Sequence, residues 1–93
     1  MLKFLKIGQQ TPPKRDVVNR KQDFNEIYKD FINRKAGEQS SRCSQCGVPF
    51  CQVHCPLSNN IPDWLKLTAE GRLKEAYELA QSTNNMPEVC GRI

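Results

Sequence analysis

Four cysteines lie close together in the run Cys43-Ser-Gln-Cys46-Gly-Val-Pro-Phe-Cys51-Gln-Val-His-Cys55-Pro56. Thiolates packed this closely are soft ligands for iron or zinc, and in a reducing compartment such thiols bind metal more readily than they pair as disulfides. Gly47, Pro49 and Pro56 disfavour a long regular element, so we expect short turns between the thiols. The run therefore predicts a metal-binding loop.

The spacing of the thiols favours iron over zinc. A structural zinc site usually takes two Cys-x2–4-Cys pairs that are separated by about a dozen residues or more, whereas here the second pair follows almost at once. The closing Cys55-Pro56 is typical of the bacterial ferredoxin run, in which three clustered cysteines bind one [4Fe–4S] cluster and the fourth binds another. The central gap is wider than in that run, which leaves two alternatives open: a zinc site, and a metal-free helical docking module for a protein partner with unligated cysteines.

Other residues near the run are not expected to bind metal. His54 adjoins Cys55 and is the single histidine of the chain, so no second imidazole is present for a mixed site. Trp64 is interpreted as a core anchor, and Phe50 is expected to shield cluster sulfurs from water. Cys90 is interpreted as a small buried or free thiol.

Length and composition exclude several classes of protein. With 93 residues, the chain has room for one small domain but not for a nucleotide-binding fold beside a catalytic one. The apolar share of 38% and the mean hydropathy of -0.66 provide little material for a core, so something besides apolar burial must stabilise the domain.

Charge and targeting signals indicate the location of the domain and exclude some classes of partner. The net charge of +4 has its basic excess before residue 43, without interleaved aromatic residues, so we expect no nucleic-acid partner. The N-terminus lacks an uninterrupted apolar region, and no run approaches the roughly 18 apolar residues of a membrane span. These features predict a cytoplasmic, reducing location without membrane contact.

The periodicity of apolar residues predicts an all-α fold with about three helices around the cysteine-rich loop. Residues 1–18 contain prolines and no sustained period, and are expected to form an extended arm. A first helix is predicted over residues 21–35, ending at a Gly37 cap, from an apolar stripe of Phe24, Ile27, Tyr28, Phe31 and Ile32.

Two further helices are predicted after the cysteines. One is expected from a cap at Asn60 to about Ala69, because Pro62 suits a first helical turn and Asp63 complements the helix dipole. Gly71 then interrupts the pattern. The last helix follows from a stripe of Leu73, Ala76, Tyr77 and Ala80.

The continuation of the cysteine run carries a resemblance to a known family. The segment from Arg42 through the cysteines to Asn59-Asn60-Ile61-Pro62-Asp63-Trp64 resembles the N-terminal iron–sulfur domain of the glutamate synthase small (β) subunit. It is more distantly similar to the corresponding domain of dihydropyrimidine dehydrogenase. The similarity extends back to residues 23–28 and forward through residues 70–77, so it covers nearly the whole chain.

The resemblance implies a helical iron–sulfur domain placed ahead of an FAD- and NADPH-binding region in a longer subunit. In that family, electrons pass from NADPH to FAD and through [4Fe–4S] clusters to the large subunit, which forms glutamate from glutamine and 2-oxoglutarate. The partners implied are therefore the large subunit and the FAD/NADPH region of the parent chain. None of the cysteines would do acid–base chemistry, so no catalytic residue is expected.

Ligand roles are likewise implied by the resemblance. Cys43, Cys46 and Cys51 would hold one [4Fe–4S] cluster, and Cys55 would contribute to a second. The family supplies the remaining ligands from a second cysteine cluster that begins just after the position of Ile93. Residues 19–93 are therefore expected to form the iron–sulfur domain, truncated before that second cluster.

Overall fold

Helices make up the regular structure of the residues that the computed structural model describes, 1–31 and 33–92. A short 3-10 helix, Lys3–Leu5, precedes six α-helices: α1 (Val17–Arg20), α2 (Asn33–Ser40), α3 (Phe50–Val53), α4 (Ile61–Ala69), α5 (Leu73–Ala80) and α6 (Pro87–Arg92). Among these residues, β-pairing is limited to one isolated antiparallel bridge between Lys14 and Tyr28. The predicted all-α class is confirmed, and the three longest helices are α2, α4 and α5.

Helix α4 begins and ends where the sequence predicts. Asn60 occupies its N-cap position, Pro62 lies in the first turn, and Asp63 adds an acidic side chain there. The Asn60 side-chain amide donates to Asp63 Oδ2 at 2.7 Å instead of capping a backbone N–H. At the other end, Gly71 takes a φ of 79°, a left-handed value that glycine adopts without the steric cost of a Cβ.

Helix α5 packs back against α4 directly after that turn. Its buried residue is Ala76, which is 6% exposed, whereas Tyr77 from the same predicted stripe is 61% exposed. At the start of the helix, Arg72 forms ion pairs with Glu70 and Glu75. The buried position of α5 is therefore occupied by a small side chain.

Helix α2 also packs against α4, and Gly37 lies at this contact. A Cβ on Gly37 would lie 3.5 Å from the backbone oxygen of Thr68. The prediction that Gly37 caps a helix is wrong, because Gly37 lies inside α2 and the helix continues to Ser40. This glycine therefore lies at the contact between α2 and α4, where a methyl group would still fit at an ordinary contact distance.

The prediction of a helix over residues 21–35 is also wrong for most of its length. Phe24 is fully exposed, and the described part of the segment is irregular until α2 begins at Asn33. The backbone hydrogen bonds of the segment go elsewhere: Asp23 Oδ1 accepts from the Asn25 N–H at 3.0 Å, and the Ile27 carbonyl accepts from the Arg15 N–H at 2.8 Å. Ile32, the last member of the predicted stripe, is outside the described residues.

An ion pair explains why this segment forms a loop. The Arg15 guanidinium donates to both carboxylate oxygens of Asp23, at 2.7 and 3.1 Å, and its Nε donates to the Glu26 carbonyl. The Arg15 contact, followed by the Asn25 N–H, lowers the pKa of Asp23 to about 2. Such local side-chain contacts compete with the helical hydrogen-bond ladder.

The N-terminal residues attach to the start of the cysteine run. The Leu2 N–H donates to the Cys43 carbonyl at 2.9 Å, and the Lys3 N–H donates to the Ser41 carbonyl at 3.0 Å. Further along, the Gln39 side chain exchanges two hydrogen bonds with the backbone of Gly8 and Gln10. The first ten residues therefore lie beside the end of α2 and the start of the cysteine run.

The buried core is small, as the composition predicts. Among the described residues, the buried class contains two apolar residues, Ala76 and Pro62, beside the polar Ser40, Ser41 and Asn59. None of the helices in that part of the chain is long and apolar enough to cross a membrane. Polar contacts therefore contribute a large share of the order around the cysteines.

Candidate metal centre

Short turns and one helical turn position the four cysteines. Cys43 lies three residues after the end of α2, and its N–H donates to the Ser40 carbonyl at 3.1 Å. Cys51 lies in α3, which begins after Pro49, and Cys55 comes just after that helix with its N–H on the Gln52 carbonyl at 3.2 Å. The prediction of short turns between the thiols is thus confirmed, with α3 as the single helical turn between them.

The four thiols differ in exposure. Cys43 and Cys55, at the two ends of the run, are half-buried, whereas Cys46 and Cys51 are exposed. All five cysteines of the chain, including the exposed Cys90, are free thiols. The run therefore offers four unpaired sulfur ligands, two on the surface and two against the domain.

Backbone N–H groups of the residues that follow Cys55 affect its thiol. Hydrogen bonds from Asn59 and Leu57, with a smaller one from Ser58, lower the pKa of this thiol. Ser58 takes a left-handed φ of 51°, and its N–H donates to the Cys55 carbonyl at 2.9 Å. A thiolate is the form that binds metal, so this loop favours the ligating state of Cys55.

A side-chain donor reaches the sulfur of Cys43. The amide nitrogen Nε2 of Gln45 lies 3.4 Å from Cys43 Sγ and 2.8 Å from the Pro62 carbonyl oxygen. Sequence reasoning missed Gln45, because nothing in the pattern of cysteines shows that its amide bridges the run and α4. Its left-handed φ of 49° is a feature of the structure and cannot be read from the sequence.

Asn59 joins the Cys55 loop to helices α4 and α5. Its amide Nδ2 donates to the Ala80 carbonyl at 2.8 Å and to Thr83 Oγ1 at 3.0 Å, while its Oδ1 accepts from Trp64 Nε1 at 2.9 Å. Its side chain is buried, so this polar residue is fully partnered inside the domain. Sequence reasoning used Asn59 for the family resemblance but did not assign it this role.

An apolar cavity of about 430 Å³ opens beside Cys55. Ile61, Trp64 and Ala80 form part of its wall, and Cys90 lines it as well. Asn84 Nδ2 lies 3.7 Å from Cys90 Sγ. The anchoring role predicted for Trp64 agrees with its half-buried position and its bond to Asn59.

Phe50 differs from its expected role as a shield. Its side chain is 65% exposed and stacks on the exposed ring of His54, with 6.1 Å between ring centroids and 12° between planes. The two residues are four positions apart on α3 and its C-cap, so both rings project from the same side of this turn. The pair covers part of the turn surface without closing it from water.

The donor set fits an iron–sulfur cluster. Four free thiols are available, and two of them receive N–H hydrogen bonds of the kind that stabilise cluster ligands. Arg42 Nε, next to the first cysteine, is buried without a hydrogen-bond partner among the described residues. This orphaned donor leaves a position for an acceptor that the chain itself does not supply.

A single metal ion makes a different demand on the site. Over residues 1–31 and 33–92, no three His, Cys, Asp or Glu side chains form a group that could hold one ion. In a [4Fe–4S] cluster, each ligating cysteine binds a different iron atom, so the thiols need not converge on one point.

Comparisons with known proteins identify the same type of domain. The family model described as dihydropyrimidine dehydrogenase domain II, 4Fe-4S cluster, matches residues 20–93. The glutamate synthase [NADPH] small chain of Azospirillum brasilense is 67% identical over all of this chain, and that of Escherichia coli K12 is 48% identical over 97% of it. The putative oxidoreductase AegA of Escherichia coli K12 is 41% identical over 88% of this chain.

The matched region is a minor part of those relatives. It covers 19% of each of the two glutamate synthase small chains and 13% of AegA. The chain therefore spans about a fifth or less of the length of these relatives.

Proposed function

Because this chain belongs to the family of dihydropyrimidine dehydrogenase domain II, 4Fe-4S cluster, we propose that it is an electron-transfer domain whose cysteines hold [4Fe–4S] clusters. Cys43, Cys46 and Cys51 bind one cluster, and Cys55 is a ligand of a second. The observation that carries this proposal is the family match across residues 20–93, which includes all four thiols. When bound, such a cluster supplies one-electron transfer at a potential set by its surroundings.

The residues around the thiols support the binding and tuning of a cluster. The N–H groups of Leu57, Ser58 and Asn59 favour the thiolate of Cys55, and the Gln45 amide donates to the sulfur of Cys43. Hydrogen bonds to sulfur and limited solvent exposure are the means by which a protein sets a cluster potential. No side chain of this domain has to move a proton in such a role.

The wider setting is proposed from the relatives. Two of them are glutamate synthase [NADPH] small chains, so we propose that this domain serves a glutamate synthase-type oxidoreductase. Its electrons would come from NADPH through FAD bound elsewhere in the subunit, and would pass to a large subunit that forms glutamate from glutamine and 2-oxoglutarate. The 93 residues themselves have no room for the FAD- and NADPH-binding region.

Cysteine substitutions in the complete protein that carries this sequence test the ligand assignment. Replacing Cys43, Cys46 or Cys51 by Ser should remove one and the same cluster signal in electron paramagnetic resonance, because each variant lacks one ligand of that cluster. Cys55→Ser should remove a different signal. Cys90→Ser is the matched control and should leave both signals in place, since Cys90 has no ligand role in the proposal.

Three results would contradict the proposal. Loss of one common signal in all four variants would show a single cluster instead of two. A colourless protein that contains zinc would favour the zinc alternative. A protein without any metal but with native helical circular dichroism would favour a docking module.

A further inference from the structure

The side-chain amide of Gln45 donates two hydrogen bonds, which is the largest number that its two N–H hydrogens can make as single bonds. Its Nε2 carries two hydrogens, and the structure places it 3.4 Å from Cys43 Sγ and 2.8 Å from the Pro62 carbonyl oxygen. The first contact is to a sulfur of the cysteine run. The second is to the first turn of α4, where Pro62 is buried.

The position of Gln45 is held by its surroundings. The residue is half-buried and has a left-handed backbone, with a φ of 49°, which is uncommon for a residue with a side chain. Since Pro62 is fixed in α4, the bond to its carbonyl orients the amide and directs the second hydrogen toward Cys43. The N–H···S contact is thus a consequence of packing between the run and α4.

We propose that Gln45 is a positioning residue that raises the reduction potential of the cluster bound by Cys43, an inference that rests on the proposed function. A hydrogen bond to a ligating sulfur withdraws electron density from it and therefore favours the state with one more electron. Reduction adds one electron, and no bond or proton changes at Gln45. Removing the donor should make that cluster harder to reduce.

The effect should be confined to one of the two proposed clusters. Cys55, the ligand assigned to the other cluster, receives its hydrogen bonds from the backbone N–H groups of Asn59, Leu57 and Ser58. These donors do not depend on the side chain of Gln45. The two ends of the run are therefore tuned by separate groups.

The test compares Gln45→Met with Gln52→Met in the complete protein that carries this sequence. Methionine is similar in length to glutamine but donates no hydrogen bond. Gln52 is also half-buried within the run, and over the described residues its side chain makes no hydrogen bond to a thiol. The readout is a titration with dithionite followed by electron paramagnetic resonance, alongside iron content and circular dichroism.

We expect Gln45→Met to shift the midpoint potential of the signal assigned to Cys43, Cys46 and Cys51 to a more negative value. The signal that depends on Cys55 should stay in place, and Gln52→Met should shift neither. If Gln45→Met lowers the iron content, Gln45→Leu supplies the same comparison, because its side chain is uncharged and donates no hydrogen bond.

Two failures are distinguishable. Normal iron content with an unchanged potential in the Gln45 variants, or an equal shift of both signals, would overturn the role of Gln45 and leave the proposed function standing. The absence of any iron–sulfur signal from the unsubstituted protein would overturn the proposed function itself, and the role of Gln45 with it.

Discussion

Asn59 makes three side-chain hydrogen bonds close to the cysteines. Its amide is bonded to Trp64 of α4 and to Ala80 at the end of α5, and its backbone N–H contributes to the lowered pKa of Cys55. Because the residue is buried, water does not replace these partners if one is lost. The sulfur environment of Cys55 therefore depends on the packing of α4 against α5.

Asn59→Asp is expected to lower the free energy of unfolding by about 1–3 kcal/mol, the usual cost of leaving a buried hydrogen-bonding group unsatisfied. The carboxylate can still accept from Trp64 Nε1, but it cannot donate to the Ala80 carbonyl. Denaturant unfolding measures the change. Asn85→Asp, at an exposed position just beyond α5, is the matched control and should change it by less than about 0.5 kcal/mol. Equal effects of the two substitutions would show that the Asn59 contacts do not stabilise the domain.

Substitution by alanine is expected to have opposite effects on stability at two glycines that lie in different elements. Gly37 lies within α2, and an added Cβ would meet the Thr68 backbone oxygen at an ordinary contact distance of 3.5 Å. Gly71 ends the α4 turn with a φ of 79°, where any Cβ is strained. Backbone conformation therefore disfavours a side chain at Gly71, whereas at Gly37 both the space and the helical backbone accept one.

Gly37→Ala is expected to raise the free energy of unfolding by about 0.5–1 kcal/mol, because alanine favours the helix interior over glycine. Gly71→Ala is expected to lower it by about 1 kcal/mol or more, because a left-handed backbone is costly for alanine. Thermal unfolding of both variants under one condition gives the comparison. Destabilisation by Gly37→Ala would show that α2 and α4 are packed more tightly than 3.5 Å indicates.

The elements that could be predicted from sequence are those with local stop and start signals. Pro62 and Asp63 at the start of α4, and Gly71 at its end, are sufficient to locate this helix. The stripe from Phe24 to Phe31 has the same helical period, yet the Arg15–Asp23 ion pair holds this segment in a loop. A pairing across eight positions with the N-terminal arm is not visible in a periodicity.

The same distinction holds for the candidate site. The four thiols are predictable because their spacing lies within one short run. Gln45 and Asn59 are not, because their roles depend on Pro62 and Ala80, which come seventeen and twenty-one residues later in the chain. Ligands are thus read from local spacing, while the groups that tune them are set by the packing of helices.

The whole molecule is held together with little apolar burial. Its radius of gyration is 14.8 Å, above the roughly 12 Å expected for a compact domain of this length. Several contacts between distant parts of the chain are polar, such as Arg92 in α6 with Glu26 at 2.8 Å and Leu2 with the Cys43 backbone at 2.9 Å. A bound cluster would therefore contribute substantially to the order of the cysteine run, since metal binding adds to folding free energy.

Removal of the cluster iron by a chelator under anaerobic conditions should loosen residues 43–56 before the α4–α5 hairpin. The run contains only the four-residue α3, which is too short to be stable alone, and its Cys46 and Cys51 are exposed. Opening free energies close to zero are typical of such segments, so amide exchange there should approach the unprotected rate. The amides of α4 and α5 are the internal control, because packing and the Asn59 bonds hold these helices without iron. Hydrogen exchange measured with and without iron decides the point, and equal protection of residues 43–56 in both samples would show that the polypeptide alone orders the run.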